Sequence, residues 1–245
     1  QGIYITMEAP NLSVPDEDYH REISGELARH MKKLLPEKKE LQALVVGLGN
    51  REITPDSLGP DVISNLHITR HIIQEYGTMG MGESSVHSVS GLVPGVMAQT
   101  GMETMEIIRG VVEETKPDVV IAIDALAARS VKRLNRTIQI TDTGIQPGSG
   151  VGNYRNGLNE ATLGVKVIGI GVPTVVDAAT IVQDAMAHLL DALEEQEKKE
   201  FLEEMITPSL HSMFMTPKDV DETMKRLSYT ISEGLNLTFA KQRNN

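Results

Sequence analysis

The sequence contains no cysteine. That excludes a disulfide framework, a thiolate nucleophile and a thiolate metal site together. It lacks long apolar runs as well: the longest, such as residues 119–123, are the size of a strand and too short to span a bilayer. No basic and apolar leader stands at the N-terminus, and neither an internal repeat nor a second compositional domain is visible. Basic residues are outnumbered, 23 Lys and Arg against 34 Asp and Glu, for a net charge of −11. Such a balance repels a phosphate backbone unless the basic residues gather on one face, and no such face is evident. Nucleic acid is therefore not expected as a direct substrate, nor is a membrane, and the cytoplasm is the expected compartment. The chain starts at Gln1 and not at methionine, which suggests proteolytic processing or a chain from which residues are absent.

What is present fits a globular chain. With 245 residues, 40% of them apolar and 23% charged, it can bury a substantial core. Periodicity predicts alternating helices and strands. "YITMEA" reads as a short strand, and "DEDYHREISGELARHMKKLL" as a helix with Ile23, Leu27, His30, Met31 and Leu34 at helical spacing. "LQALVVGLG" is a buried strand, followed by one helix over "SLGPDVISNLHITRHII". "SSVHSVS" alternates as a strand does, "GVMAQTGMETMEIIRGVVEETK" is a helix, and "PDVVIAIDAL" is the clearest buried strand. "RTIQITDT" and "VKVIGIGVP" are further strands, and "TVVDAATIVQDAMAHLLDALEEQ" is a long helix. Residues 194–204, rich in Glu and Lys, read as an exposed helix or linker, and 217–237 as a final amphipathic helix. Strands separated by helix-length connections predict a single α/β domain over 1–245, a mostly parallel twisted sheet covered by helices on both faces. Reactive groups then belong beyond the carboxyl ends of the strands.

The turn after "LVVGLGN" begins as a dinucleotide fingerprint does, with Gly47 and Gly49, but its third glycine position is Glu52, and Pro55 interrupts an immediate helix start. A carboxylate there repels phosphate, so the glycines are read as letting the turn pass close to a peptide or another loop. Asp56 in "TPDSLGP" has two readings. It, or Thr54, is placed as a helix N-cap; it is also an acidic group at a strand end. Asp124 closes the apolar run "VVIAID", where an unpaired carboxylate is expensive to bury. It is either satisfied by neighbouring backbone N–H groups or aimed into an active-site crevice. Two convergent aspartates can share a proton and act as base and acid on a peptide bond, or hold a metal with a third ligand. His67 and His71 lie four apart on the expected helix without the glutamate of a zinc motif, and read as ordinary helix histidines. Arg129, Lys132, Arg133 and Arg136 follow Asp124 either as a solvated face or as a receptor for an acidic side chain. The loop over 141–153 carries Gly144, Gly148, Gly150 and Gly152, as a substrate-binding loop or a plain connection. Its Ser149 lacks the strand-to-helix elbow of a serine hydrolase.

Taken together, "VVGLGNREITPDSLGP", "SGLVPGVMAQTGMET", "PDVVIAIDALAARS", "TIQITDTGIQPGSGVGN" and "GVKVIGIGVPTVVDAATI" resemble the spore germination proteases, endopeptidases that degrade small acid-soluble spore proteins. The resemblance implies a three-layer fold of the phosphorylase/hydrolase-like kind, similar to that of hydrogenase maturation proteases. It implies a self-processing zymogen and a homotetramer in the spore core, with small acid-soluble spore proteins as the partner cleaved. It also implies an atypical aspartic dyad falling on Asp56 and Asp124, with no cofactor and no metal. Cleavage after an acidic residue is implied too, which suits the basic cluster. The chain is shorter than the family pattern before "YITMEAP" and around "LEEQEKKEF". The maturation proteases use a later histidine as metal ligand, and the matching "VIGIGVPTVVD" contains none. A metal-dependent maturation protease is the alternative. "GLGN" followed by "TRH" is also similar to peptidyl-tRNA hydrolases, but His71 lies a full helix beyond Asn50 and the charge opposes tRNA.

Overall fold

The structure is a computed structural model that describes residues 2–77, 87–146, 157–190 and 208–240. Its strands are β1 (Tyr4–Glu8), β2 (Gln42–Gly47), β3 (Ser88–Leu92), β4 (Val119–Ala128), β5 (Thr137–Thr141), β6 (Lys166–Asp177) and β7 (Phe214–Met215). They form one seven-stranded sheet in the order β1-β5-β6-β4-β2-β3, with β7 pairing β6. Strands β3, β2, β4 and β6 are mutually parallel, β5 runs antiparallel to β6, and β1 antiparallel to β5. The mostly parallel α/β sheet expected from the sequence is therefore present.

The helices are α1 (Glu17–Leu34), α2 (Leu58–Ser64), α3 (Arg70–Tyr76), α4 (Met97–Thr100), α5 (Thr104–Thr115), α6 (Glu160–Leu163), α7 (Ala178–Leu190), α8 (Pro208–His211) and α9 (Val220–Phe239). Helix α1 starts where Asp16 accepts the Tyr19 N–H at 3.0 Å, carries Glu17 and Asp18 in its first turn and ends on Lys32 and Lys33, an arrangement that suits the helix dipole at both ends. Its buried stripe, including Leu27 and Met31, joins Leu58 and Val62 of α2 and Leu227, Ile231 and Leu235 of α9 against Val45, Ile121, Ile123 and Ile170. On the opposite face Met105, Ile108 and Val112 of α5 pack on Val46, Leu48, Val120 and Ala122. Alternate residues of β2 and β4 thus serve two cores, which is why both strands read as unbroken apolar runs. Among the described residues no helix is long and apolar enough to cross a membrane.

Three expected helices differ from what is observed, each because long-range hydrogen bonds or backbone geometry override local periodicity. The helix over "SLGPDVISNLHITRHII" is split into α2 and α3. Between them the His67 N–H donates to Asn236 of α9 at 2.9 Å, and Thr69 ties to β3 by accepting the Val89 N–H at 2.9 Å. His67 and His71 consequently do not share one helix, because His67 lies in this link. The next helix is broken into α4 and α5 at Gly101, whose φ of 72° is left-handed. Finally, β6 continues through Thr174, Val175 and Val176 to Asp177, and α7 starts only at Ala178, as expected of a β-branched run beside a pairing strand. The Glu- and Lys-rich residues 194–204 lie outside the described residues.

Candidate active site at the carboxyl end of the sheet

Strand β2 ends at Gly47, and the Leu48 N–H still bonds the Ile123 carbonyl of β4 at 2.8 Å. Immediately afterwards the chain turns back on itself through glycines that cannot carry a side chain. A Cβ on Gly47 would sit 2.3 Å from the Gly59 carbonyl oxygen, and one on Gly49 only 2.1 Å from that of Asp56. Gly49 also has φ +109°, a conformation that L side chains rarely adopt. These glycines bring the start of α2 and the 3-10 turn Thr54–Asp56 against the strand end.

That fold-back settles the local role of Asp56. Neither Thr54 nor Asp56 is the N-cap of α2, a position held by Ser57. The half-buried Asp56 carboxylate reaches backward and accepts the Asn50 N–H at 2.7 Å. Asn50 in turn accepts from the Glu52 N–H at 3.0 Å and from the Gln99 amide at 2.9 Å. Glu52 is exposed.

Asp124 is buried, 6% exposed. Because Gly47 pairs with Ile123 and Asp124 with Gly171, Asp124 stands one step past the end of β2, level with Leu48. It shares the sheet face of Val120 and Ala122, the side covered by α5. The turn bearing Asp56 packs against both β4 and β6. Thus one carboxylate is anchored two residues past Leu48 and the other lies beside Leu48. Both belong to the carboxyl end of β2, the place where parallel α/β sheets put their reactive groups.

Thr174 fastens the turn to the sheet. The register between β4 and β6 shifts after Leu126, which pairs with Pro173 while Ala127 pairs with Val175. The skipped residue, fully buried Thr174, donates its hydroxyl to the Pro55 carbonyl at 2.6 Å, and its own carbonyl accepts from Thr216 at 3.2 Å. Sequence reasoning missed Thr174 by assigning it to a helix. The signal was the β-branched run from Thr174 to Val176, which disfavours a helix start.

The basic residues lie farther along. Arg129 follows the end of β4, Lys132 and Arg133 sit in the 3-10 turn Val131–Arg133, and Arg136 precedes β5. Asp184 of α7 holds this turn by accepting from the Ser130 hydroxyl at 2.9 Å and the Val131 N–H at 2.7 Å. Arg129, Lys132 and Arg136 are exposed and Arg133 is half-buried. A strand advances about 3.3 Å per residue, so Arg129 stands roughly 16 Å along the chain from Asp124. Gly144 adopts φ +86° beside Leu158; Gly148, Ser149, Gly150 and Gly152 lie outside the described residues. Among the described residues no three His, Asp or Glu side chains form a cluster fit for a metal ion.

The germination protease family model matches residues 1–193 and 186–245. A germination protease of Caldanaerobacter subterraneus is 46% identical over 253 residues, covering 96% of this chain and 78% of that one. A germination protease of Clostridium tetani matches with the same identity and coverage, 46%, 96% and 78%. The germination protease of Bacillus subtilis is 38% identical over 286 residues, covering 96% and 77%. Among solved structures, a NiFe hydrogenase maturation protease from Thermococcus kodakarensis KOD1 aligns over 84% of this chain and 98% of that chain, at 15% identity and a TM-score of 0.39.

Proposed function

Since this chain belongs to the germination protease family and is an endopeptidase, we propose that Asp56 and Asp124 are its catalytic pair and that its substrates are small acid-soluble spore proteins. The observation that carries the reading is the placement of both carboxylates at the carboxyl end of β2, one in a 3-10 turn packed on glycines that admit no side chain and one buried where an apolar run ends. Two neighbouring carboxyls that share one proton can divide peptide hydrolysis between them. The ionised carboxylate takes a proton from water as the oxygen attacks the carbonyl carbon. The protonated partner supplies a proton to the carbonyl oxygen and, as the tetrahedral carbon collapses, the leaving amine receives one. The proton belongs to the pair, so the pH profile reports coupled titrations and neither apparent value is assigned to one residue.

The remaining parts of the reading come with the family resemblance. The enzyme is made as a zymogen that processes itself, assembles as a homotetramer and works in the spore core. The basic residues Arg129, Lys132, Arg133 and Arg136 receive acidic side chains of the substrate. Cleavage falls after an acidic residue of the substrate, and the long arginine side chains reach back toward the bond from beyond β4.

Asp56→Asn and Asp124→Asn test the pair, with a small acid-soluble spore protein as substrate, chelator present and products mapped by mass spectrometry. Each variant should keep its fold and lose turnover by about 10³-fold, the scale of a lost acid–base group. Near-normal turnover by either removes that residue from the mechanism. Inhibition of wild type by chelator, reversed by nickel or zinc, replaces the dyad with a metal route.

A further inference from the structure

The side of the sheet that carries Asp124 also carries a trough of about 600 Å³ reaching from β1 across β5 to β6. Its position follows from strand register. Thr6 of β1 pairs with Gln139 of β5, Gln139 with Gly171 of β6, and Gly171 with Asp124 of β4. These four residues form one row across the sheet, and partners in register project to the same face. In the adjacent row, Tyr4 pairs with Thr141 and Thr141 with Gly169. Gly169 lies under the Gly144 carbonyl and Ile145, and Gly171 under Leu126, so the β6 part of the floor is built from those covering residues. Leu126, two residues beyond Asp124, leans over Gly171 so closely that a Cβ there would lie 2.4 Å from its Cδ1, and it forms the wall at the Asp124 end.

The chemistry of the lining is specific. The described residues that line the trough are all uncharged, in contrast to the basic turn beyond β4. Among the described residues, the half-buried Gln139 amide and the Thr6 hydroxyl make no side-chain hydrogen bond, although both stand in the row that ends at Asp124. A glutamine amide offers both donor and acceptor, the pair that an extended backbone displays. Three strand spacings of about 4.8 Å separate β1 from β4, so the trough accommodates roughly four residues of extended chain at about 3.3 Å each.

We propose that this trough is a substrate subsite, binding an extended, uncharged segment of the protein substrate on one side of the cleaved bond, with Gln139 holding its backbone. The proposal rests on Asp124 being catalytic, and it separates two tasks: the trough seats a neutral stretch on one side of the bond, and the basic turn meets the acidic residue on the other.

The test compares wild type with Gln139→Leu, which keeps the shape and removes the hydrogen bonds, on a long peptide spanning the cleavage sequence and on two peptides each shortened on one side. Gln139→Leu should lower kcat/KM about tenfold on the long peptide, the scale of a lost pair of hydrogen bonds. The loss should persist when the peptide is shortened on one side and vanish when it is shortened on the other. No change on any peptide, or the same loss on all three, overturns the subsite. Binding of the labelled long peptide to Asp124→Asn, with and without Gln139→Leu, reads the trough without turnover; weaker binding by the double variant is expected, and equal binding overturns the proposal. If Asp56→Asn and Asp124→Asn keep their turnover, the dyad fails, and the length-dependent effect of Gln139→Leu still judges the subsite by itself.

Discussion

Thr174 has no chance to touch a substrate, being fully buried, yet its hydroxyl holds the carbonyl of the residue just before Asp56. The bulge that frees it from the ladder is what points it there. Under the proposed role of Asp56, Thr174 is a positioning residue: removing the hydroxyl leaves the Pro55 carbonyl without this donor and loosens the turn that carries the Asp56 carboxylate. Thr174→Val keeps the shape and removes the bond, a loss of about 1–3 kcal/mol for a buried group left unsatisfied. Turnover should drop about tenfold with KM little changed, because a misaimed catalytic group lowers kcat before it lowers binding. Thr174→Ser, which retains the donor, should restore most of the rate. Equal rates in the valine and serine variants, measured under conditions where both are folded, would remove Thr174 from the positioning of Asp56.

Among the elements, the long strands and α1 were legible because each carries its own signal: β2 and β4 as unbroken apolar runs buried on both faces, α1 as a stripe with charges matched to its ends. The segments that were misjudged receive their instructions from elsewhere. His67 is drawn out of helix by Asn236, 169 residues away, and Thr69 is bound to β3; periodicity within the segment carries no trace of either. The site was partly legible for the same reason. Asp124 stands out as a charge closing an apolar run and Asp56 as an acidic residue just past a strand-end turn, whereas Thr174 and Gln139 gain their importance only from register and a bulge. The packing of α1 on α9 illustrates how an element contact reduces to one residue. Gly234 of α9 lies where a Cβ would meet Leu27 of α1 at 2.6 Å. Alanine favours helix over glycine by about 1 kcal/mol, but overpacking a close contact costs about 1–3 kcal/mol. Gly234→Ala should therefore be neutral to destabilising in urea unfolding. Combined with Leu27→Ala, which opens the space, the same substitution should become stabilising, giving a coupling that a double-mutant cycle detects. Additive effects would mean that the helices can shift apart at no cost.

At the scale of the whole molecule, a histidine at the junction of several elements is expected to couple stability to pH. His87 precedes β3, its Nδ1 accepts the Leu41 N–H at 3.2 Å ahead of β2, and its ring meets Phe239 of α9 edge-on at 6.2 Å. An accepting Nδ1 requires the neutral ring. Burial, and then the charge of Lys32 at the end of α1, hold its pKa below the usual 6.5. At pH values between the folded and the unfolded pKa, the unfolded chain binds more protons than the folded one, so unfolding free energy increases with pH there. The His87 contribution is fully present above pH 6.5 and is lost as pH falls below it, until the folded pKa is passed. Asp118 acts in a lower window. Burial pushes its carboxyl up, but the hydrogen bond and charge of Lys38 and the Gln42 N–H outweigh that and keep it below the usual 3.8. Its contribution is present above pH 3.8 and disappears as the carboxyl protonates below it. The two groups are therefore separable. Urea midpoints for wild type should fall between pH 7 and pH 5, a span that brackets the usual histidine value. His87→Gln, which keeps an acceptor but cannot titrate, should fall less over the same span, by a fraction of one proton's linkage because the ring is only half-buried. Parallel curves for the two proteins would show that His87 contributes nothing to the acid sensitivity of the fold and that the other histidines or carboxylates account for it.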